Sequence, residues 1–215
     1  MKIPKILFYF FMFLPLPVTL AALVFLPEQI PAHFDMDNQV TRWGSKYETL
    51  IFPAVTIIFG LIMLGISKFP DNRESNQEKV CIITGIFFLF LFNAVTGYFL
   101  YIDFIKAEDL SSVSIDIYQL VFGLLGIFMI VIGSLMPKLG MNSIIGLRTQ
   151  WSMKNETTWE KSQRFGGISS IITGILLVLL CCFTKGLACF FGYLGVLLLS
   201  LPINIFYTYK AAKKY

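Results

Sequence analysis

The sequence predicts an all-α integral membrane protein: a six-helix transmembrane bundle with a small extracellular hairpin and a short cytoplasmic helix. Three observations carry this expectation. The 215 residues are 56% hydrophobic, with a mean hydropathy of +0.74. Only 14% are charged, where an ordinary soluble domain has about 25%. The charges are clumped, and they leave uncharged stretches at 6–26, 49–67, 80–102, 117–136, 168–184 and 186–209. A soluble globule of this length has no interior large enough for 22 Phe together with the Leu and Ile. A soluble enzyme, a disordered regulator and a disulfide scaffold are therefore excluded.

Each stretch is close to the roughly 20 residues that a helix needs to cross a hydrocarbon core of about 30 Å. Backbone polar groups have no water to bond in lipid, so each stretch reads as a helix. The first is kinked by Pro15 and Pro17. Its uncharged run is long for a signal-peptide core, and Ala21-Ala22 is a poor cleavage context, so it reads as retained. The fifth stretch is the shortest. The chain divides into a two-span N-terminal segment, 1–67, with a loop at 27–48, and a four-span segment, 68–215, with a long loop at 137–167. Gly123, Gly126, Gly133, Ser170, Gly174, Gly192 and Gly195 mark positions where helices approach closely.

The loops give the threading. Thirteen of the 17 basic residues fall on the termini and the second and fourth loops, and four on the first, third and fifth. This asymmetry puts both termini in the cytoplasm. Eight of the 13 acids lie with the four bases, so the outer face is net −4 and the inner face +8. A basic inner face suits anionic lipid headgroups and gives no reason for direct nucleic-acid binding. Trp43, Tyr47, Tyr101 and Tyr118 at the outer boundary, with Tyr207 and Tyr209 at the inner one, form the expected aromatic belts.

No Asp, Glu, Lys, Arg or His lies inside the six stretches. This counts against a proton-coupled carrier. Asn93 and Gln119 are the polar residues of note, and interhelical hydrogen bonding accounts for them. There is no Gly-x-Ser-x-Gly elbow and no His-Glu-x-x-His pair, and the only histidine is His33. The residues offer no catalytic set, no cofactor motif and no enzyme class. Cys81, Cys181, Cys182 and Cys189 read either as buried small apolar residues or, for Cys182 and Cys189, as a bridge across the turn near Lys185-Gly186.

Two loops carry information. In the first, Asp37-Asn38-Gln39 is a turn between short extended stretches at 33–36 and 40–43, which predicts an outer β-hairpin. His33 and Asp35 share a face with Asp37 close by, but three ligands without a fourth make a poor metal site, and none is assigned. The fourth loop places Asn155 as an N-cap before a short helix over 156–165, ended by Gly166-Gly167. Its aromatic and basic residues fit either an inner-leaflet anchor or a docking surface.

The stretch Gly146-Leu147-Arg148-Thr149-x-Trp151-Ser152, followed by Trp159 and Arg164-Phe165-Gly166-Gly167, resembles the signature of the SdpI family. These are bacterial membrane immunity proteins of the sporulation-delay-toxin type. Ile30-Pro31-x-His33-Phe34 with Trp43-Gly44-Ser45-Lys46 resembles the N-terminal domain of unknown function that often precedes that signature. The chain departs from it with Asp37-Asn38-Gln39 where relatives often place a glycine. The resemblance implies immunity to a secreted antimicrobial peptide. In one branch it implies signalling too, by sequestration of a cytoplasmic transcriptional repressor.

The expected site residues are thus of two kinds. Gly146, Arg148, Thr149, Trp151, Trp159, Arg164, Phe165, Gly166 and Gly167 form the cytoplasmic signature loop, structural or partner-docking. His33, Asp35, Asp37, Trp43, Glu108 and Asp109 form an outer face that meets the toxin. Partners are membrane lipids, the peptide toxin and, in the signalling branch, a repressor. The competing reading is a small transporter or exporter of a lipid or peptide.

Overall fold

The computed structural model describes residues 2–35, 37–68, 77–110, 113–141 and 146–215. Among the described residues, six segments are helical, long and apolar enough to cross a membrane: Lys2–Ala22, Lys46–Ser67, Cys81–Ile105, Ile117–Lys138, Glu156–Phe183 and Gly186–Lys214. The chain is a multi-pass membrane protein of the all-α class.

The first span is two helices, α1 (Lys2–Phe13) and α2 (Pro15–Ala22). They meet at Leu14, where Pro15 and Pro17 lack the N–H groups that would continue the ladder. Leu14 itself stays helical and donates to Phe10 O at 2.9 Å. Strands β1 (Gln29–Phe34) and β2 (Val40–Ser45) pair antiparallel as the expected hairpin. Asn38 takes the left-handed turn conformation, φ +66°, which Asn tolerates better than most residues. Four further helices follow after α3 (Ile51–Ser67): α4 (Gln77–Ile105), α5 (Ile117–Leu135), α6 (Glu156–Phe183) and α7 (Gly186–Lys214).

Three of these outrun the sequence expectation, α7 by running past position 209 to Lys214. α4 has 29 residues and α6 has 28, about 42–44 Å at 1.5 Å per residue. The uncharged stretch 80–102 ends at Asp103, yet the helix continues to Ile105. The short helix expected over 156–165 forms with Asn155 as its cap, Oδ1 accepting from Thr158 N at 2.9 Å. It does not end at Gly166-Gly167 but runs on as the first turns of α6. The glycine pair serves helix approach instead.

The chain divides into two compact units. One contains Met1–Lys68, Cys81–Val121 and Lys185–Leu187. Its core packs Phe8 and Met12 of α1 against Ile82 and Leu89 of α4, with Phe11 and Phe59 around them. Asn93 links the same elements, its Nδ2 donating to Phe11 O at 2.7 Å. The other unit holds Phe122–Thr184 and Ala188–Tyr215. There α5 and α6 touch through glycines. A Cβ on Gly133 would stand 2.6 Å from Gly167 O, and one on Gly174 would stand 2.5 Å from Gly126 O. Small residues at two levels seven apart let the backbones meet, as helix association in lipid favours. Phe122 stacks on Tyr193 at 4.3 Å. Cys189 lies with its sulfur 3.4 Å from that of Cys181, not Cys182, and none of the four cysteines is in a disulfide.

Candidate functional site

The hairpin end of the first unit is fastened by its own sequence. Ser45 and Glu48 form a capping box at the turn before α3, and Ser45 N donates to Glu48 Oε1 at 3.2 Å. A Cβ on Gly44 would press on that same carboxylate and stand 2.7 Å from Ala32 Cβ on the paired strand, which favours glycine between Trp43 and Ser45. Arg42 grips Glu48 with two bonds, 3.1 and 2.7 Å. The hydrogen bond and the charge of Glu48 raise the pKa of Arg42 above its ordinary value. Lys46 Nζ reaches Glu28 at 2.9 Å.

The tip of the hairpin pairs with the loop after α4. Val40 N donates to Glu108 O at 3.0 Å, and Leu110 N to Asn38 O at 2.9 Å. Gln39 and Asp109 form a bridge. Asp35, Asp37, Glu108 and Asp109 are therefore gathered at one end of the hairpin. They differ in role. Asp35 Oδ1 accepts from the N–H groups of Asp37 and Gln39, at 3.0 and 2.9 Å, and so shapes the turn. His33 Nδ1 lies 2.6 Å from Thr41 Oγ1, so its ring is fixed to the partner strand. No cluster of three His, Cys, Asp or Glu able to hold a metal ion occurs among the described residues. Trp43 sits toward the strand base opposite Pro31 and stays 41% exposed.

Beneath the hairpin lies a cavity of about 620 Å³, walled by Ile30, Phe52, Phe99, Leu110 and Ile117. Asp103, near the end of α4, is 2% exposed and lines it. Sequence reasoning passed over this residue because it stands one position beyond an uncharged run. Asp116, also fully buried, holds the start of α5 together. Its Oδ1 accepts from Gln119 N at 2.7 Å, and Asp116 N donates to Gln119 Oε1 at 3.2 Å.

The signature loop lies in the second unit and is tied down along most of the motif. Gln163, fully buried on α6, clamps Leu147 twice. Its Oε1 accepts from Leu147 N and its Nε2 donates to Leu147 O, both at 3.0 Å. Gly146 adopts φ +117°, and a Cβ there would strike Gln163 Oε1. Thr149 and Ser152 bond one another: Thr149 N donates to Ser152 Oγ at 2.8 Å, and Ser152 N to Thr149 Oγ1 at 3.0 Å. Thr149 Oγ1 then reaches Thr208 Oγ1 on α7 at 3.0 Å. Lys154 Nζ donates to Ala212 O at 2.7 Å. Trp151 packs edge-on against Tyr209, and Phe165 stacks flat on Tyr207 at 3.9 Å.

These contacts correct one expectation. Neither tryptophan of the loop stands exposed as an aromatic docking group would: Trp151 is half-buried against Tyr209. Trp159 is 2% exposed, and its Nε1 donates to Leu139 O at 2.9 Å. Gly166 and Gly167 are buried as well, and a Cβ on Gly166 would meet Met136 and Leu147 at about 3 Å. Arg148 and Arg164 alone among the motif's larger side chains are exposed to solvent. Around this loop Gln163 and Thr208 give no signal in the sequence, since their partners lie 16 and 59 positions away.

A family profile described as the SdpI/YfhL protein family matches residues 138–208. A second profile, a domain of unknown function (DUF1648), matches residues 10–57. Over 196 residues the chain is 30% identical to "Immunity protein SdpI" of Bacillus subtilis (strain 168), a match that covers 88% of this chain and 86% of that protein. No solved structure matches the chain.

Proposed function

The chain belongs to the SdpI family, and from that premise we propose that it is an immunity protein of the bacterial cell membrane, protecting the cell against a secreted antimicrobial peptide. The observation that carries this reading is the likeness to an immunity protein over nearly the full length of both chains. Both termini are cytoplasmic in this reading, on the strength of the basic asymmetry of the loops. The hairpin of the N-terminal two-span segment, 1–67, then faces the outside, where the toxin arrives. The four-span segment, 68–215, turns its signature loop inward.

Protection works by binding. A cationic amphipathic peptide meets Asp37, Glu108 and Asp109 at the hairpin tip and is held away from the bilayer. No enzymatic step is invoked. The test is survival of cells that carry the paired variant Asp37→Asn with Glu108→Gln, at equal protein abundance. Asp35 is left intact because it builds the turn. Protection should weaken, and more so at low ionic strength. Unchanged protection would make these acids merely solvated.

The same proposal extends to signalling, in which the protein sequesters a cytoplasmic transcriptional repressor. The exposed arginines Arg148 and Arg164 are its docking groups, while Trp159 serves the fold. A second reading is favoured by one observation. The buried Asp103 near the end of a spanning helix is the kind of residue that carriers use. Export of a lipid or peptide would then replace sequestration, and accumulation of the peptide in the medium of protected cells would distinguish it.

A further inference from the structure

We propose that the cavity beneath the hairpin seats an apolar peptide segment bearing one free ammonium group, received by the carboxylate of Asp103. This rests on the immunity reading and names the chemistry of its binding site. The cavity volume of about 620 Å³ falls in the range of about 300–1,000 Å³ typical of ligand pockets. Its walls, Ile30, Phe52, Phe99, Leu110 and Ile117, suit aliphatic and aromatic side chains.

The charged groups around it decide what else the guest must carry. Arg42 and Glu48 neutralise one another through two bonds. Asp35 is satisfied by two backbone N–H groups, and the His33 ring by Thr41. Asp103 differs. It is 2% exposed, it lines the cavity, and its carboxyl group has no hydrogen-bond or ionic partner among the described residues. A buried carboxyl without a partner carries a desolvation cost that nothing else here offsets. A cation entering the cavity would offset it through a short charge-assisted hydrogen bond.

Two sources present an ammonium at a membrane surface: a peptide amine and an aminophospholipid headgroup. The lining favours the peptide. A phospholipid brings a phosphate beside its ammonium, and Arg42, the one arginine or lysine among the described residues of the lining, is already held by Glu48.

The test uses the full-length protein in nanodiscs of phosphatidylglycerol, which has no amine. The probe is the tripeptide amide Leu-Phe-Leu with a free N-terminus, compared with its N-acetyl form and with empty nanodiscs. The free amine should bind at least tenfold more tightly than the acetyl form, and Asp103→Asn should erase the difference. Equal binding of the two forms to the wild-type protein overturns the proposal without relying on any variant. So does a preference that survives in Asp103→Asn. Phosphatidylethanolamine added to the nanodiscs should leave tripeptide binding unchanged. If it displaces the tripeptide from the wild-type protein but not from Asp103→Asn, the ammonium is a lipid's and the peptide assignment falls. Survival measured in parallel separates the two layers. Protection without amine preference removes this inference and leaves immunity standing. Amine preference without protection supports the site and removes the immunity reading.

Discussion

Replacing Gln163 tests whether the signature loop is held by the clamp on Leu147. Gln163→Met keeps most of the side-chain volume and removes both bonds. Each hydrogen bond contributes about 0.5–1.5 kcal/mol net, so the loss should be about 1–3 kcal/mol. Gln163→Glu separates the two bonds. Its one oxygen still accepts from Leu147 N, while the other faces Leu147 O across a 3.0 Å gap that formerly held an N–H donor. Two acceptors repel there unless the carboxyl is protonated. The folded state therefore raises the pKa of the new glutamate above its unfolded value of about 4.3. Its stabilisation is present below the unfolded pKa and is lost as pH rises through the folded one. Q163E should accordingly be more stable at pH 5 than at pH 8, while Q163M should show no such difference relative to wild type. Thermal unfolding in detergent and limited proteolysis across residues 146–153 are the assays. Wild-type melting and wild-type cleavage in Q163M would mean that the clamp does not hold the loop.

Four further outcomes are expected. Gly133→Ala with Gly174→Ala should force α5 and α6 apart and cost about 1–3 kcal/mol per site from overpacking, read as a lower melting temperature in detergent. Trp159→Ala should lose about 3–5 kcal/mol and reduce folded protein and protection together. Arg148→Ala should leave abundance and melting unchanged, so a loss of repressor recruitment in that variant alone would isolate signalling. A cysteine introduced at Glu108 should react with an impermeant maleimide on intact cells, and one at Glu160 only after permeabilisation. The reverse pattern would overturn the assigned sidedness.

The six spans were legible because lipid excludes charge, and long uncharged runs cannot hide. The hairpin was legible for a different reason, since Asn38 at the centre of a turn flanked by extended residues has few other uses. Reading failed where one residue type serves two physical ends. Gly166-Gly167 carries the mark of a helix terminus, yet in lipid the same absence of side chains allows backbone contact, here between Gly167 and Gly133. Trp159 in a basic loop suggested an interface, but its Nε1 is spent on Leu139 O, a partner 20 positions back. Gln163 gave no signal, because its partner is backbone and backbone has no letter in the sequence. Asp103 was invisible as a buried group because a helix that ends above the lipid core has no boundary in hydropathy.

If the protein confers immunity, survival under toxin reads it without an intermediate. A toxin-sensitive bacterial host expressing this chain, with membrane abundance confirmed, is exposed to the secreted peptide beside the same host carrying an empty vector. The expressing cells should survive concentrations that kill the control. Equal killing of both, with the protein folded and present in the membrane, would contradict it.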